Sequence, residues 1–415
     1  TPERTDATAR DRPATGPGEY QAMVRTRSMR LSCSLTPVGV ITIVCDGVML
    51  QVRHQIFRPE TIESPDRSSQ TRRVTREYVL EVAILTADRA KGDVEALARL
   101  AQSEMAAVDA LIIDRMQSQV PVIPLLAEHI VAAGGKRLRP LITVAAARAV
   151  NGTIDNPLKL AAAVEFIHTA TLLHDDVVDG SERRRGKVAA HLIWGSATSV
   201  LVGDFLFARA FELMVETGQM RALGILAQAS SVIAQGEVLQ LTRAHDLKLD
   251  QETYLRIISA KTAELFAAAA EAGAVGAGAD DKSVAALRAY GLNLGLAFQL
   301  ADDALDYGGS SETLGKNAGD DFREGKVTLP LLLAVQRTRG REDGFWTRTI
   351  DKGQRTDDDF RRACELVVGT GSVESTLEIA GAYADAAKVA LKALPRSDWR
   401  VALESLADFA VSRAA

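Results

Sequence analysis

The sequence is poor in cysteine and in aromatic residues. Its 415 residues include three cysteines, Cys33, Cys45 and Cys364, and their spacing shows no pairing. This spacing argues against a disulfide framework and against a thiolate metal site. Aromatic residues make up 5% of the chain. Because alanine is abundant at the same time, the composition favours helices over strands.

The sequence also lacks an excess of charge and a long apolar run. Its net charge is −5, which argues against nucleic acid as a partner, since no global basic field is present. No apolar run reaches the roughly 18 residues of a membrane span. The nearest candidate, Pro37–Leu50, is shorter and is interrupted by Asp46. We therefore expect no membrane span and a cytoplasmic location.

Residues 1–90 differ in composition from the rest of the chain. They contain 13 arginines and no lysine, and they are rich in Ser, Thr and Pro. The segment can be interpreted as disordered, as a targeting extension, or as translated sequence upstream of the true start. A transit peptide is poor in acids, whereas Glu3, Asp6 and Asp11 come early here. We expect a largely disordered, non-catalytic extension; the strand-like composition of Val38–Phe57 is unexplained.

Helical periodicity begins near residue 90 and continues to the C-terminus. Met105, Val108, Leu111 and Ile112, for example, fall on one face of a helix. Short Gly, Asn or Asp signals separate such segments, and no alternating strand series is evident among them. The pattern predicts that residues 91–415 form one all-α catalytic domain, a large helical bundle.

Two apolar segments each end in the acidic motif DDxxD. The first carries Asp175, Asp176 and Asp179, and the second carries Asp302, Asp303 and Asp306. Acids four apart share a helix face and repel one another, and acids at a helix C-terminus oppose the helix dipole. A divalent cation between the carboxylates offsets both their mutual repulsion and their unfavourable interaction with the helix dipole. Oxygen donors without Cys or His suit Mg²⁺. Solvated helix ends are the alternative, but two copies favour a site built from facing helices.

Basic residues recur near these motifs and elsewhere. They are Lys136, Arg137 and Arg139 in GGKRLRP, Arg184 and Arg185 after the first motif, and Lys261, Lys316 and Lys326. Guanidinium and ammonium groups bind phosphate oxygens. Each residue alone is typical of a surface charge. Together with paired metal sites they indicate ligands with several phosphates, and the apolar helices would line a cavity for a hydrophobic tail.

With these motifs, the chain resembles the trans-polyprenyl diphosphate synthases of the type I isoprenoid synthase fold. Within that family, the bacterial members that form octaprenyl chains resemble it most. The resemblance covers about residues 95–415 and rests on motifs in family order: GGKRLRP, EFIHTATLLHDDVVDG, RRG, LVGDFLFARAF, GEVLQL, KTAELF, FQLADDALDY, LGKNAGDD and EGKVTLP. Residues 1–90 match nothing in the family.

The resemblance implies a magnesium-dependent prenyltransferase with a central cavity and two or three Mg²⁺ ions per site. Its partners would be isopentenyl diphosphate and an allylic diphosphate, with farnesyl diphosphate as the expected primer. The product would be a long all-trans polyprenyl diphosphate for a quinone side chain, octaprenyl or else nona- or decaprenyl. The family is usually homodimeric, so a homodimer is expected.

The resemblance also assigns roles to residues. Asp175, Asp179, Asp302 and Asp306 would be metal ligands, with Asp176 and Asp303 supporting them. Arg184, Lys261, Thr262, Gln299, Lys316 and Lys326 would contact the allylic side of the site. Lys136, Arg139, His168 and Arg185 would bind isopentenyl diphosphate. For His168, a satisfied core histidine is the alternative. Arg183 is expected to be a bystander.

Product length is predicted from the helix that precedes Asp175. The family resemblance implies that a bulky aromatic four or five positions before this residue closes the tunnel in short-chain members. Here those positions are Thr171 and Ala170, so a long product is expected. Phe166, one helical turn deeper, would narrow the tunnel without sealing it.

Two alternatives remain open. A class I terpene cyclase shares the first acidic motif but usually replaces the second with an Asn/Ser/Glu-type motif, and it has no use for GGKRLRP. A non-catalytic subunit of a heteromeric prenyl synthase tends to lose its aspartates, whereas all six are present here.

Overall fold

The structure is a computed structural model, and it describes residues 21–26, 29–35, 40–45, 48–53, 95–132, 137–184, 186–308 and 319–414. The chain divides into two units, Thr1–Thr75 and Arg76–Ala415. The predicted catalytic domain, 91–415, falls within the second unit. The boundary near residue 90 and the disorder of the extension stay predictions.

The described part of the first unit is a four-stranded antiparallel meander. Its strands, paired in chain order, are β1 Gln21–Thr26, β2 Met29–Leu35, β3 Val40–Cys45 and β4 Val48–Arg53. The register pairs Leu31 with Cys45 and Ile43 with Leu50. The alternating strand series went unrecognised in the sequence, although the strand-like composition of 38–57 spans β3 and β4. Arg, Ser and Thr interrupt the apolar pattern in β1 and β2.

The described second unit is helical, which confirms the all-α prediction for this part of the chain. Its longer helices are α1 Gln102–Arg115, α2 Val122–Ala132, α3 Leu138–Ala149, α4 Asp155–Val178, α6 Ser196–Glu216, α7 Met220–Arg243, α8 Gln251–Ile258, α9 Glu264–Gly276, α10 Asp281–Gly308, α12 Leu329–Arg337, α14 Asp357–Gly369, α15 Ser372–Leu391 and α16 Asp398–Ser412. Short elements are β5 Arg183–Arg184, β6 Lys187–Val188, α5 Ala190–Trp194, α11 Asp320–Glu324 and α13 Asp343–Trp346.

The predicted apolar faces are confirmed where the helices pack. On α1, Val108 and Ile112 are 0% and 1% exposed, with Met105 and Leu111 packed against the same core. Helix α14 begins at a capping box, in which Thr356 and Asp359 satisfy each other's backbone N–H groups. The apolar face that the sequence pattern predicts for α1 is therefore buried.

Helix α9 occupies the centre of the bundle. It packs against α3, α4, α7 and α10, and its alanine-rich sequence is buried along nearly its full length. Small residues let these helices approach closely. A Cβ atom on Gly273 would lie 2.2 Å from the Thr143 carbonyl oxygen, and one on Gly291 would lie 2.4 Å from the Phe266 oxygen. The composition rich in alanine thus builds a core in which backbones nearly touch.

Around this centre, α4 and α10 bring their C-terminal ends to the same cavity. Both are long, with 24 and 28 residues, and both bury most of their apolar positions. Among the helices that the structure describes, α7 is the one long and apolar enough to cross a membrane, judged by length and composition alone. Its most hydrophobic window is 28% buried within the protein.

Candidate active site

A cavity of about 620 Å³ lies between the two acidic motifs. Helix α4 contributes a stripe of side chains at helical spacing: His168, Thr171, Leu172, Asp175, Val178 and Asp179. Helix α10 contributes Phe298, Gln299, Asp302, Asp303 and Asp306. The facing-helix arrangement expected from the repeated motif is therefore present. Apolar and acidic groups share one cavity because each helix carries both along the same face.

Two lysines approach the first acidic motif from other elements. The Lys261 ammonium lies 3.7 Å from Asp175 Oδ2, and the Lys326 ammonium donates to Asp179 Oδ2 at 2.9 Å. Burial raises the pKa of Asp175, while Lys261 acts in the opposite direction. Burial alone would lower the pKa of Lys326, but Glu324 and Asp179 raise it above its ordinary value. Both ammonium groups therefore lie beside carboxylates of the first acidic motif.

The middle acid of the first motif has a different environment. Asp176 is 3% exposed, and Arg184 Nε donates to its Oδ1 at 2.8 Å, with a second contact from the same guanidinium. Burial alone would lower the pKa of Arg184, but Asp176 raises it. Asp176 thus orients Arg184 at the rim, whereas Asp175 and Asp179 face the cavity.

Lys261 reaches the site from a π-helical turn. This turn, Ser259–Ala263, interrupts the helical run between α8 and α9, and such turns are frequent at functional sites. Lys261 also donates to Glu237 Oε2 at 2.7 Å. Helix α7 lies close enough for this contact because Gly236 has no side chain; a Cβ there would be 2.7 Å from the Ala260 Cβ. Burial raises the pKa of Glu237, with Lys261 opposing.

In the second motif the first acid lies beside an arginine near the C-terminus. Arg413 contacts Asp302 Oδ1 at 3.5 Å and donates to the Phe298 carbonyl oxygen at 2.9 Å. Its guanidinium lies 3.8 Å from the Phe298 ring centroid, a cation–π distance. Arg413, the residue that follows α16, therefore reaches the second acidic motif, although it is over 100 residues from Asp302 in sequence.

The other two acids of this motif are more deeply placed. Asp303 is 3% exposed and accepts hydrogen bonds from Tyr254 at 2.5 Å and Gln299 at 2.7 Å. Burial raises the pKa of Asp303 well above its ordinary value. Burial, with Asp321 adding to it, also raises the pKa of Asp306 to about 7. The middle acid of each motif thus accepts hydrogen bonds from other side chains of the protein.

A second group of basic and aromatic residues lies at the same cavity. Arg139 on α3 contacts His168 Nε2 at 3.1 Å, and its guanidinium lies 4.5 Å from the Phe266 centroid. Phe266 in turn lies 5.7 Å from Phe298. His168 lines the cavity, which favours the ligand interpretation over that of a core histidine.

Comparison with known proteins agrees with this geometry. The family model for polyprenyl synthetase matches residues 120–367. The chain belongs to the polyprenyl synthetase family. Octaprenyl diphosphate synthase of Escherichia coli (strain K12) is 45% identical over 77% of this chain and 99% of its own. A solved polyprenyl synthase from Caulobacter crescentus CB15, complexed with calcium and isoprenyl diphosphate, is 70% identical with a TM-score of 0.76, over 78% of this chain and 98% of its own.

A third relative shows how far product length varies in the family. The solved decaprenyl diphosphate synthase from Rhodobacter capsulatus is 51% identical with a TM-score of 0.74, over 78% of this chain and 99% of its own. This chain is accordingly an enzyme, a trans-prenyl diphosphate synthase close to octaprenyl synthase, with the all-α isoprenoid synthase fold. The family resemblance predicted from the motifs is confirmed.

Polyprenyl synthases are generally Mg²⁺-dependent, and the residues present fit such an ion. Among the described residues, no three His, Cys, Asp or Glu side chains converge to hold a metal by themselves. The donors facing the cavity are carboxylates, and Asp306 Oδ2 is buried with no hydrogen-bond partner in the described part of the chain. This donor set suits an ion whose remaining ligands are water and substrate phosphates.

Three predicted binding residues, Lys136, Arg185 and Lys316, lie outside the described residues. Of the predicted length-determining residues, Thr171 lines the cavity. Ala170 and Phe166, at 0% and 1% exposure, belong to the core. Arg183, expected to be a bystander, does line the cavity. The remaining predicted contacts, Arg139, His168, Arg184, Lys261, Thr262, Gln299 and Lys326, all line it.

Several residues of the site went unrecognised in the sequence: Glu237, Tyr254 and His245 line the cavity, and Arg413 contacts Asp302. Glu237 lies in the quoted motif GEVLQL, which was a signal for it. His245 positions Lys326, because its backbone N–H donates to the Gly325 oxygen at 3.1 Å. Gly325 has φ +76, and a Cβ there would lie 2.1 Å from His245 Cε1, so glycine is required. Tyr254 and Arg413 lie in none of the quoted motifs, so no signal in the sequence marked their place in the site.

Proposed function

We propose that this prenyl synthase elongates an allylic diphosphate, farnesyl diphosphate as the primer, with isopentenyl diphosphate to an all-trans octaprenyl diphosphate. The observation that carries this proposal is the pair of acidic motifs facing one cavity whose walls also bear cations and apolar groups. The product would serve as the side chain of a respiratory quinone. Nona- and decaprenyl products are the alternatives.

The site residues divide into two sets that match two diphosphates. Arg184, Lys261, Thr262, Gln299 and Lys326, with Lys316, would hold the allylic diphosphate beside the acids. Arg139 and His168, with Lys136 and Arg185, would hold isopentenyl diphosphate. This places a nucleophilic double bond beside an allylic carbon, and such orientation lowers the barrier of a two-substrate reaction.

Asp175, Asp179, Asp302 and Asp306 would hold Mg²⁺, in two or three ions per site. Bound Mg²⁺ supplies Lewis-acid chemistry, which stabilises the charge that develops on the departing diphosphate. The Lys261 and Lys326 ammonium groups can leave their carboxylates for phosphate oxygens. The carbon–oxygen bond of the allylic substrate breaks, the double bond attacks, and the product loses a proton to the departing diphosphate.

A product assay tests this function. Purified protein is incubated with Mg²⁺, farnesyl diphosphate and labelled isopentenyl diphosphate, and the dephosphorylated products are resolved by chain length. A single polyprenol of octaprenyl size is expected. A cyclic hydrocarbon formed without isopentenyl diphosphate would instead support a terpene cyclase. No incorporation by the full chain or by residues 91–415 would support the non-catalytic subunit.

Ala170→Phe is expected to shorten the product. The tunnel should run along α4 away from Asp175, and one helical turn of about 5.4 Å corresponds to roughly one prenyl unit. Ala170 is 0% exposed, so the ring must enter packed space at a cost of about 1–3 kcal/mol. Product chain length is measured together with the melting temperature. Thr171→Ala places a smaller side chain at the cavity wall and so enlarges the cavity; it should not shorten the product. An unchanged distribution for Ala170→Phe would refute the tunnel assignment.

We also propose a homodimer formed through α6 and α7. Large apolar side chains are exposed on this face, among them Leu201 at 66%, Val215 at 64% and Val238 at 61%. A second copy that packs against α6 and α7 would cover these side chains. The protein would act in the cytoplasm, with at most peripheral membrane contact, which cell fractionation tests.

The double substitution Leu201→Asp and Val215→Asp is expected to produce monomers, because it places charges in the buried interface. Light scattering coupled to size-exclusion chromatography measures the mass. Val389→Asp serves as the control, since Val389 is comparably exposed, at 58%, on α15. Monomeric wild-type protein, or a dimer that survives the double substitution, would contradict the proposed interface.

A further inference from the structure

A hydrogen-bond chain runs from the cavity wall into the core behind the second acidic motif. Thr262 Oγ1 donates to Gln299 Oε1 at 2.8 Å, and Gln299 Nε2 donates to Asp303 Oδ1 at 2.7 Å. The Tyr254 hydroxyl donates to the other oxygen of the same carboxylate, Oδ2, at 2.5 Å. The chain connects the π-helical turn, α10 and α8, which are separate elements of the cavity wall.

The buried end of this chain determines the orientation of the rest. Tyr254 and Asp303 are each 3% exposed, so water has little access to replace a lost partner. A carboxylate oxygen accepts hydrogen bonds, whereas an amide offers a donor at one atom and an acceptor at the other. Both Asp303 oxygens accept here, Oδ2 from the Tyr254 hydroxyl and Oδ1 from the NH₂ group of Gln299. The Gln299 oxygen then faces Thr262 and receives the hydroxyl proton of that residue.

We propose that Tyr254 is a positioning residue for the allylic side of the site. By holding one oxygen of Asp303, it leaves the other for Gln299 and so fixes the orientation of Gln299 and Thr262 towards substrate. This proposal rests on the function proposed above, because it concerns the binding of the allylic diphosphate. Without the hydroxyl, Asp303 Oδ2 becomes a buried acceptor that lacks this donor. The carboxylate and the amide can then turn together, and both cavity residues lose their fixed orientation.

Tyr254→Phe removes one hydroxyl and one hydrogen bond from the core. Tyr290→Phe is a matched control, because Tyr290 is 0% exposed and its hydroxyl donates to the Leu403 carbonyl oxygen at 2.8 Å, away from the cavity. Both variants are expected to melt at lower temperature than wild type. Tyr254→Phe should lower kcat/KM for farnesyl diphosphate by about 10- to 100-fold, with KM for isopentenyl diphosphate changed by less than about twofold. Tyr290→Phe should leave both values unchanged.

A double-mutant cycle tests whether Tyr254 acts through the chain. If it does, Tyr254→Phe combined with Gln299→Ala should be no worse than the more impaired single variant, because both break one network. Independent, additive losses would overturn the proposal. So would equal activity losses in Tyr254→Phe and Tyr290→Phe, since these would reflect stability alone.

Binding of farnesyl diphosphate with Mg²⁺ and no isopentenyl diphosphate, measured by calorimetry, gives a readout without turnover. Weaker binding by Tyr254→Phe than by Tyr290→Phe supports the proposal, and equal binding contradicts it. Failure of the proposed function has a separate signature, because the wild-type protein itself would then form no polyprenyl product. If only the inference fails, the wild-type protein still forms polyprenyl product, and Tyr254→Phe and Tyr290→Phe show the same activity and the same binding of farnesyl diphosphate.

Discussion

Asp175→Asn is expected to lower kcat/KM for the allylic substrate about 1,000-fold, equivalent to about 4 kcal/mol of transition-state stabilisation. The amide keeps the size of the carboxylate but loses the negative charge that would hold Mg²⁺. Lys261 keeps its 2.7 Å contact with Glu237, so the local packing should survive. Steady-state kinetics at several Mg²⁺ concentrations would measure the loss, and excess Mg²⁺ should restore little of it.

The thermal stability of Asp175→Asn separates loss of function from unfolding. Burial raises the pKa of Asp175, which means that its charged form is disfavoured in the folded protein. The neutral amide should therefore melt at or above the wild-type temperature in the absence of metal. Asp204→Asn is a suitable control, because this carboxylate is 62% exposed; its activity should stay within about twofold of wild type. Comparable losses in both variants would contradict a metal-binding role for Asp175.

Gly291→Ala is expected to cause the largest loss of stability, about 3 kcal/mol. The added Cβ would lie 2.4 Å from the Phe266 carbonyl oxygen and 2.8 Å from the Ala267 Cα. Both are backbone atoms of α9, so the crossing of α9 and α10 must widen. Because Gln299 and Asp302 lie farther along α10, activity should fall as well. Denaturant unfolding of the variant measures the loss.

Gly224→Ala is the matched control for this effect. Gly224 lies exposed in α7, and its added Cβ would meet no atom within 4 Å. Alanine there should stabilise the protein by about 0.5–1 kcal/mol, since glycine is the poorer helix former. If both substitutions raised stability, helix propensity rather than the close approach of α9 to α10 would determine the effect at Gly291.

Part of the fold and of the site could be read directly from residue order. The apolar periodicity around Val108 and Ile112 predicted buried helix faces, because a helix places residues three and four apart on one side. The same geometry placed Asp175 and Asp179 together on α4. The repeated DDxxD pattern predicted a second set of acids on another helix. The four strands of residues 21–53 escaped this reasoning because their apolar pattern is interrupted.

The sequence by itself thus determined the helices, the two acidic faces and the family of this protein, since these follow from local spacing and short motifs. Only the tertiary structure showed that Asp176 and Asp303 are each 3% exposed and hydrogen-bonded to protein donors. Tertiary structure also brought Arg413 to Asp302 and Tyr254 to Asp303. Such contacts depend on how helices cross, and helix crossing is decided by close packing across α9, which no local pattern records.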